Sequence, residues 1–153
     1  MPIIADRLAV LGLEVPALAA PAGVYIPAVV SGNLVFTSGQ LPFVSGELPA
    51  TGKVGDTVSP EDAKTYSATC VLNALAAVQS AIGSLDRVTR IVKVVGFVAS
   101  DPSFTGQPGV INGASELLGE IFGDAGVHAR SAVGVAALPL DSPVEVELIV
   151  EFA

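Results

Sequence analysis

The chain has 153 residues, 51% hydrophobic and only 14% charged, against roughly 25% charged residues in an average soluble domain. That length suits one domain that buries a core without disulfides or metal, and argues against a two-domain enzyme. With 15 Asp+Glu against 7 Lys+Arg the net charge is −8, which repels phosphate backbones and anionic lipid and makes nucleic acid a poor first partner.

At the N-terminus, Ala17-Leu18-Ala19-Ala20 mimics a signal cleavage site, but Asp6, Arg7 and Glu14 interrupt the apolar core a signal needs, so no export is expected. Val15 to Gly46 is uncharged, yet Pro16, Pro21 and Pro27 with Gly23, Gly32 and Gly39 would break a membrane helix. After a short helix around Asp6 to Leu11, the segments Tyr25 to Val30 and Leu34 to Thr37 flank a Gly32-Asn33 turn and read as a hairpin. Ser59-Pro60-Glu61-Asp62 then supplies an N-cap, a first-turn proline and acidic residues suited to a helix start. Ala63, Tyr66, Cys70, Ala74, Ala77, Val78 and Ala81 recur at helical spacing up to Gly83, which is placed to end the run.

Ile91 to Ala99 is β-branched and almost wholly apolar, the pattern of a central strand buried on both faces. A second helix is expected between about Val110 and Phe122, with Gly113 and Gly119 weakening it and Gly123 past its end. Ser131 to Ala137 reads as a fourth strand. After a turn holding Pro139, Asp141, Ser142 and Pro143, a fifth strand alternates, with Val144, Val146, Leu148, Val150 and Phe152 on one face and Glu145, Glu147 and Glu151 on the other.

The order ββαβαββ is that of an α+β domain with two helices on one sheet face. The other face needs a cover, and so little charge predicts that a further copy of the chain supplies it. The single cysteine, Cys70, excludes an internal disulfide and points to a reducing, cytoplasmic setting. No phosphate-binding glycine loop, Cys/His metal cluster or serine-hydrolase elbow is present in the sequence. The lone His128 reads as a loop residue and Cys70 as core. Arg130 stands out instead, a cation at the mouth of the fourth strand where charge is otherwise scarce.

The stretch His128-Ala129-Arg130-Ser131-Ala132-Val133-Gly134-Val135, continued through Leu138-Pro139 to Val144-Glu145-Val146-Glu147, resembles the C-terminal signature of the YjgF/RidA family of enamine/imine deaminases. Gly32-Asn33-Leu34-Val35-Phe36-Thr37-Ser38-Gly39-Gln40-Leu41-Pro42 is similar to that family's second strand and following turn, with Tyr25 just before it. The resemblance runs from about Ala22 to the end, leaving residues 1–21 of a single domain 1–153 as an N-terminal extension.

It implies a chorismate-mutase-like fold of the bacillus type, assembled as a homotrimer whose sheets form a central barrel and whose clefts lie between neighbours. It also implies hydrolysis of 2-iminoacids of the 2-aminoacrylate type to 2-oxoacids and ammonia, without a cofactor. In that reading Arg130 grips the substrate carboxylate and Glu145 positions or activates water. The backbone of Gly39 and Ala132, with Tyr25 and Ser38, completes the cleft. Asn112 matches the family's site asparagine, whereas aligning Ile121 and Phe122 with its usual aromatic pair puts Ser115 there instead. Ala132 stands where many active members have cysteine, and the loop from Leu41 to Thr57 is longer than in short members. A non-catalytic trimer that binds small carboxylates is the competing class, and the endoribonuclease label attached to some relatives is a third, disfavoured by the negative charge.

Overall fold

Gly32 adopts φ +61° between Ser31 and Leu34, which pair across the turn, the glycine-first pattern of a tight II′ hairpin. The computed structural model describes residues 3–18 and 23–153, so the boundary expected near residue 21 lies outside the described residues. In chain order the elements are α1 (Ile4–Val10), β1 (Ala28–Ser31), β2 (Leu34–Thr37), α2 (Pro60–Ile82), β3 (Val88–Ala99), α3 (Gln107–Phe122), β4 (Ala129–Val135) and β5 (Val144–Phe152). The 5-stranded sheet runs β1-β2-β5-β3-β4. Only β3 and β4 are parallel, and α3 makes the crossover between them. This is the α+β architecture expected, preceded by α1.

The strand expected from Tyr25 begins only at Ala28. Pro27 has no N–H to donate, its carbonyl takes the Ser38 N–H at 2.7 Å, and the Ser38 hydroxyl donates to the Ile26 carbonyl at 2.8 Å, so the chain is tied to the end of β2 without continuing the ladder. The expected fourth strand sits two residues early, over Ala129–Val135, because β3 ends at Ala99 and offers no partner beyond Val135. Nor is β3 buried on both faces. Ile91, Val94, Gly96 and Val98 are buried, while Lys93, Val95 and Phe97 on the other face are only half-covered by the single chain.

In α2 the Ser59 hydroxyl accepts the Asp62 N–H at 3.1 Å, Pro60 opens the first turn, and Gly83 closes the helix at φ +89°. Its buried arc is wider than the predicted stripe. Ser67, Val71 and Leu75 are fully buried, Tyr66 is half-buried and Ala81 is exposed, because α2 packs at once on the sheet and on α3. The helix contact depends on the glycine that lowers helix propensity. A Cβ at Gly113 would run into the Lys64 carbonyl and the Ser67 hydroxyl, and that hydroxyl lies 2.8 Å from both the Lys64 and Val110 carbonyls. Gly96 gives α3 the same clearance on the sheet side, where a Cβ would sit 2.5 Å from Ile111.

The described part of the N-terminal segment is anchored to this core. Leu8 is 3% exposed, the Ile4 N–H donates to Asp86 at 2.7 Å, and Arg7 donates to the Ile121 carbonyl at 3.2 Å. Among the described residues no helix is long and apolar enough to cross a membrane.

Two glycines of α3 give opposite expectations. Gly113→Ala should lower the unfolding free energy by about 1–3 kcal/mol through overpacking. Gly119→Ala, at an exposed position with nothing within 4 Å of the new Cβ, should raise it by about 0.5–1 kcal/mol. Paired denaturant melts check both signs, and a neutral Gly113→Ala would overturn the account of the helix contact.

Candidate functional site

Register decides what each predicted site residue can reach. Arg130 pairs with Val94, and Val94 with Leu148 on the far side. Paired residues of neighbouring strands share a face, so Arg130 points to the helix side of the sheet, at its outermost strand. There its Nη1 donates to Asn112 Oδ1 at 2.8 Å and to Ser115 Oγ at 3.2 Å. Asn112 and Ser115 stand three apart on α3, one turn of one helix face. Both candidates for the site asparagine's place therefore touch the same guanidinium. No carboxylate forms an ion pair with Arg130 among the described residues, where the only bridges are Lys53–Asp141 and Lys64–Glu116.

Glu145 pairs with Phe97 and so points to the opposite, open side of the sheet. Its position follows from an irregularity in β2. The pairs Phe36↔Ile149 and Gln40↔Val146 leave one more residue on the β2 side than on β5, a bulge of the kind that redirects side chains beside functional sites. Within it the Thr37 hydroxyl takes the Leu148 N–H at 2.9 Å in place of a backbone carbonyl. Gly39 comes to lie directly under the Glu145 carboxyl, where a Cβ would stand 2.7 Å from Cδ and closer still to Oε1. The role of Gly39 is thus clearance for Glu145 as much as any backbone contact. Burial, and after it the negative charge of Glu147 two residues on, push the Glu145 carboxyl above its ordinary pKa.

The Ser38 hydroxyl is committed to the Ile26 carbonyl. Tyr25 is 51% exposed and its ring folds back over Gly23. Ala132 lies on β4 on the same face as Arg130. The Val135 carbonyl accepts the Ser100 N–H at the end of β3, so strand alternation turns the N–H and C=O of Ala132 toward the free edge of the sheet. Cys70 is fully buried, and that burial pushes its thiol up, which fits a core residue. His128 precedes β4, its Nδ1 3.0 Å from the Ala129 carbonyl.

The single chain therefore brings Arg130, Asn112 and Ser115 together on one face, and Ser38, Gly39 and Glu145 on the other. It does not bring Arg130 and Glu145 together. Thr37 went unnoticed in the sequence, although a hydroxyl on the buried face of β2 is a legible signal that the ladder is interrupted. Among the described residues no group of His, Cys, Asp and Glu is gathered that could hold a metal ion.

The sequence profile of the family described as YjgF/chorismate mutase-like, putative endoribonuclease, matches residues 5–152. The Trypanosoma cruzi protein TCP17 is 44% identical over 149 residues, spanning 97% of this chain and 93% of that one. The crystal structure of a putative endoribonuclease from Shewanella oneidensis superposes with a TM-score of 0.95 at 34% identity, covering 99% of this chain and 100% of that one. That of Escherichia coli TdcF with bound serine gives 0.66 at 29% identity, over 90% and 94%. A profile spanning nearly the whole chain and a near-complete superposition agree with the motifs around Arg130 and the first hairpin: the chain belongs to the YjgF/chorismate-mutase-like family.

Proposed function

We propose that the protein is a hydrolytic deaminase of 2-iminoacids, acting as a homotrimer with each cleft built from two subunits. The observation that carries this is the state of Arg130, a part-buried guanidinium held by two neutral acceptors and left with its positive charge uncompensated. A short 2-iminoacid offers a carboxylate as its fixed charge, and a planar guanidinium takes a carboxylate in bidentate fashion. TdcF, whose structure holds serine, binds a molecule with the same carboxylate group.

In the proposed reaction, water adds to the imine carbon, the resulting carbinolamine collapses, and ammonia leaves with the 2-oxoacid as second product. Glu145 carries one proton of the attacking water to the imine nitrogen, giving the carbinolamine, and then carries the proton of its hydroxyl to the same nitrogen as the C–N bond breaks and the carbonyl forms. A carboxyl raised above its ordinary pKa suits both steps, because it holds a proton more readily than an exposed glutamate. Ala132 has no thiol to contribute, which leaves its outward-facing main-chain groups as the neighbours of the substrate. Since Arg130 and Glu145 point to opposite sides of one sheet, the reading requires Glu145 of an adjoining subunit to meet Arg130. A head-to-tail contact that closes into a ring does this. It would also cover the open face, where Val29, Phe36 and Val133 are exposed, and protect the unpaired edge of β4. A cytoplasmic setting suits the lone thiol. The net charge of −8 weighs against RNA as substrate, and salt-dependent RNA binding would favour that alternative.

The purified protein should accelerate release of pyruvate and ammonia from enzymatically generated 2-aminoacrylate, and light scattering should give three times the chain mass. Arg130→Ala should abolish that acceleration and Arg130→Lys should retain little, while both stay folded. Full turnover by a folded Arg130→Ala protein would sink the mechanism, and carboxylate binding without ammonia release would mark a non-catalytic binding protein.

Complementation tests the two-subunit cleft. Glu145→Gln alone should slow the reaction about 10²- to 10⁴-fold. Refolding it together with Arg130→Ala in equal amounts should restore activity at about a quarter of the sites, those that draw Arg130 and Glu145 from different parents. No recovery in a mixed oligomer would show that each site uses one chain only.

The pH profile follows from Glu145. As a base it must be ionised, so activity falls along an acid limb as pH drops through its pKa, which burial and Glu147 raise within the single chain and the neighbouring Arg130 of the proposed cleft would lower. Glu147→Gln removes the second cause of the shift and should move that limb to lower pH. An unmoved limb would separate Glu147 from the titration.

A further inference from the structure

Arg130 uses one nitrogen for both of its hydrogen bonds. Nη1 meets Asn112 Oδ1 at 2.8 Å and Ser115 Oγ at 3.2 Å, which occupies both of its hydrogens, while Nε and Nη2 have no partner among the described residues. Those two nitrogens share the side edge of the guanidinium plane, where two parallel N–H groups match the oxygens of a carboxylate. The anchors themselves come from α3, which is fixed by its close contacts through Gly113 with α2 and through Ile111 with Gly96.

We propose that Asn112 and Ser115 form a charge-neutral cradle that positions Arg130, fixing the guanidinium by Nη1 and presenting its Nε–Nη2 edge to the substrate carboxylate. The inference rests on Arg130 being the carboxylate grip and adds two positioning residues to it. An aspartate at either place would hold Arg130 more tightly, as charge-assisted hydrogen bonds do, but it would cancel the charge the ligand needs. An amide and a hydroxyl hold the cation and leave that charge intact. Ser115 then belongs to the site beside Asn112 rather than in place of it.

The test uses the full chain and pyruvate, a 2-oxoacid that carries the carboxylate and no imine. Binding is followed by calorimetry and by the side-chain N–H resonances of Arg130, and KM and kcat are measured separately with 2-aminoacrylate. Asn112→Ala and Ser115→Ala should each weaken pyruvate binding about three- to tenfold, the scale of one hydrogen bond acting through Arg130, and should raise KM more than they lower kcat. Ser115→Thr, which restores the hydroxyl, should recover binding. Asn112→Asp, which keeps an acceptor in place, should bind pyruvate at least about tenfold more weakly than wild type.

An Asn112→Asp protein that binds as well as wild type overturns the proposal, as does a Ser115→Ala protein that loses only thermal stability. So does a wild-type protein that binds no pyruvate. Wild-type binding that follows the variants in this order, with no ammonia formed from 2-aminoacrylate, leaves the cradle standing and removes the deaminase reading alone.

Discussion

Two helices packed on one face of a five-stranded sheet leave its other face to be covered by something else, and the placement of every candidate group follows from that asymmetry. The packing is tight because small residues stand where the layers cross, Gly113 between the helices and Gly96 beneath Ile111. With the apolar face committed to α2 and α3, alternation along β5 sends Val144, Val146, Leu148 and Val150 inward and the glutamates outward. The open face is therefore neither an ordinary solvated surface nor a core. It carries Glu145 and Glu147 beside Phe36, Val95 and Phe97, a mixture that suits a boundary between subunits better than either water or a packed interior.

The same asymmetry divides the chemistry. A cation on the helix side at the outer strand and a carboxyl on the open side near the start of β5 cannot act on one small molecule within one chain. Such a division has a physical advantage. Placed together in one subunit before assembly, Arg130 and Glu145 would form an ion pair, and each would neutralise the other. Held on opposite faces, the guanidinium keeps its charge and the carboxyl its raised pKa. In the proposed trimer the interface, and not mutual attraction, would set their separation.

Much of this was legible in the sequence, and the parts that were not share a cause. The Ser59 cap, the Gly32 turn and the alternation of β5 are local patterns, set by backbone geometry within a few residues, and the structure follows them closely. Arg130 and Glu145 were legible through the motifs around them. The start of β1, the register of β4 and the wide buried arc of α2 depend on partners distant in sequence. Pro27 stops β1 where Ser38 ties the chain back, and β4 can pair only as far as β3 extends. Gly113 counted against the helix on propensity, because the Lys64 carbonyl that makes glycine necessary is not visible from α3 alone. Asn112 and Ser115 presented a choice of alignment, whereas their spacing on one helix face makes them partners of one side chain. The opposition of Arg130 and Glu145 emerges only once register and face are known together.

An excess of acidic residues and the anionic substrate proposed above look ill-matched, and the resolution lies in range. At physiological ionic strength charges are screened over about 8 Å, so the net charge of −8 acts weakly on a carboxylate that has already entered a cleft. Within that distance the sum is set by the few groups lining the site, and there the identity of the partners of Arg130 decides the outcome. A carboxylate partner would cancel the guanidinium charge at its own anchor. Asn112 and Ser115 add no charge of their own, so in the proposed cleft the guanidinium would meet one small carboxylate without being cancelled by its own anchors, while the net charge would oppose a polyanion at long range.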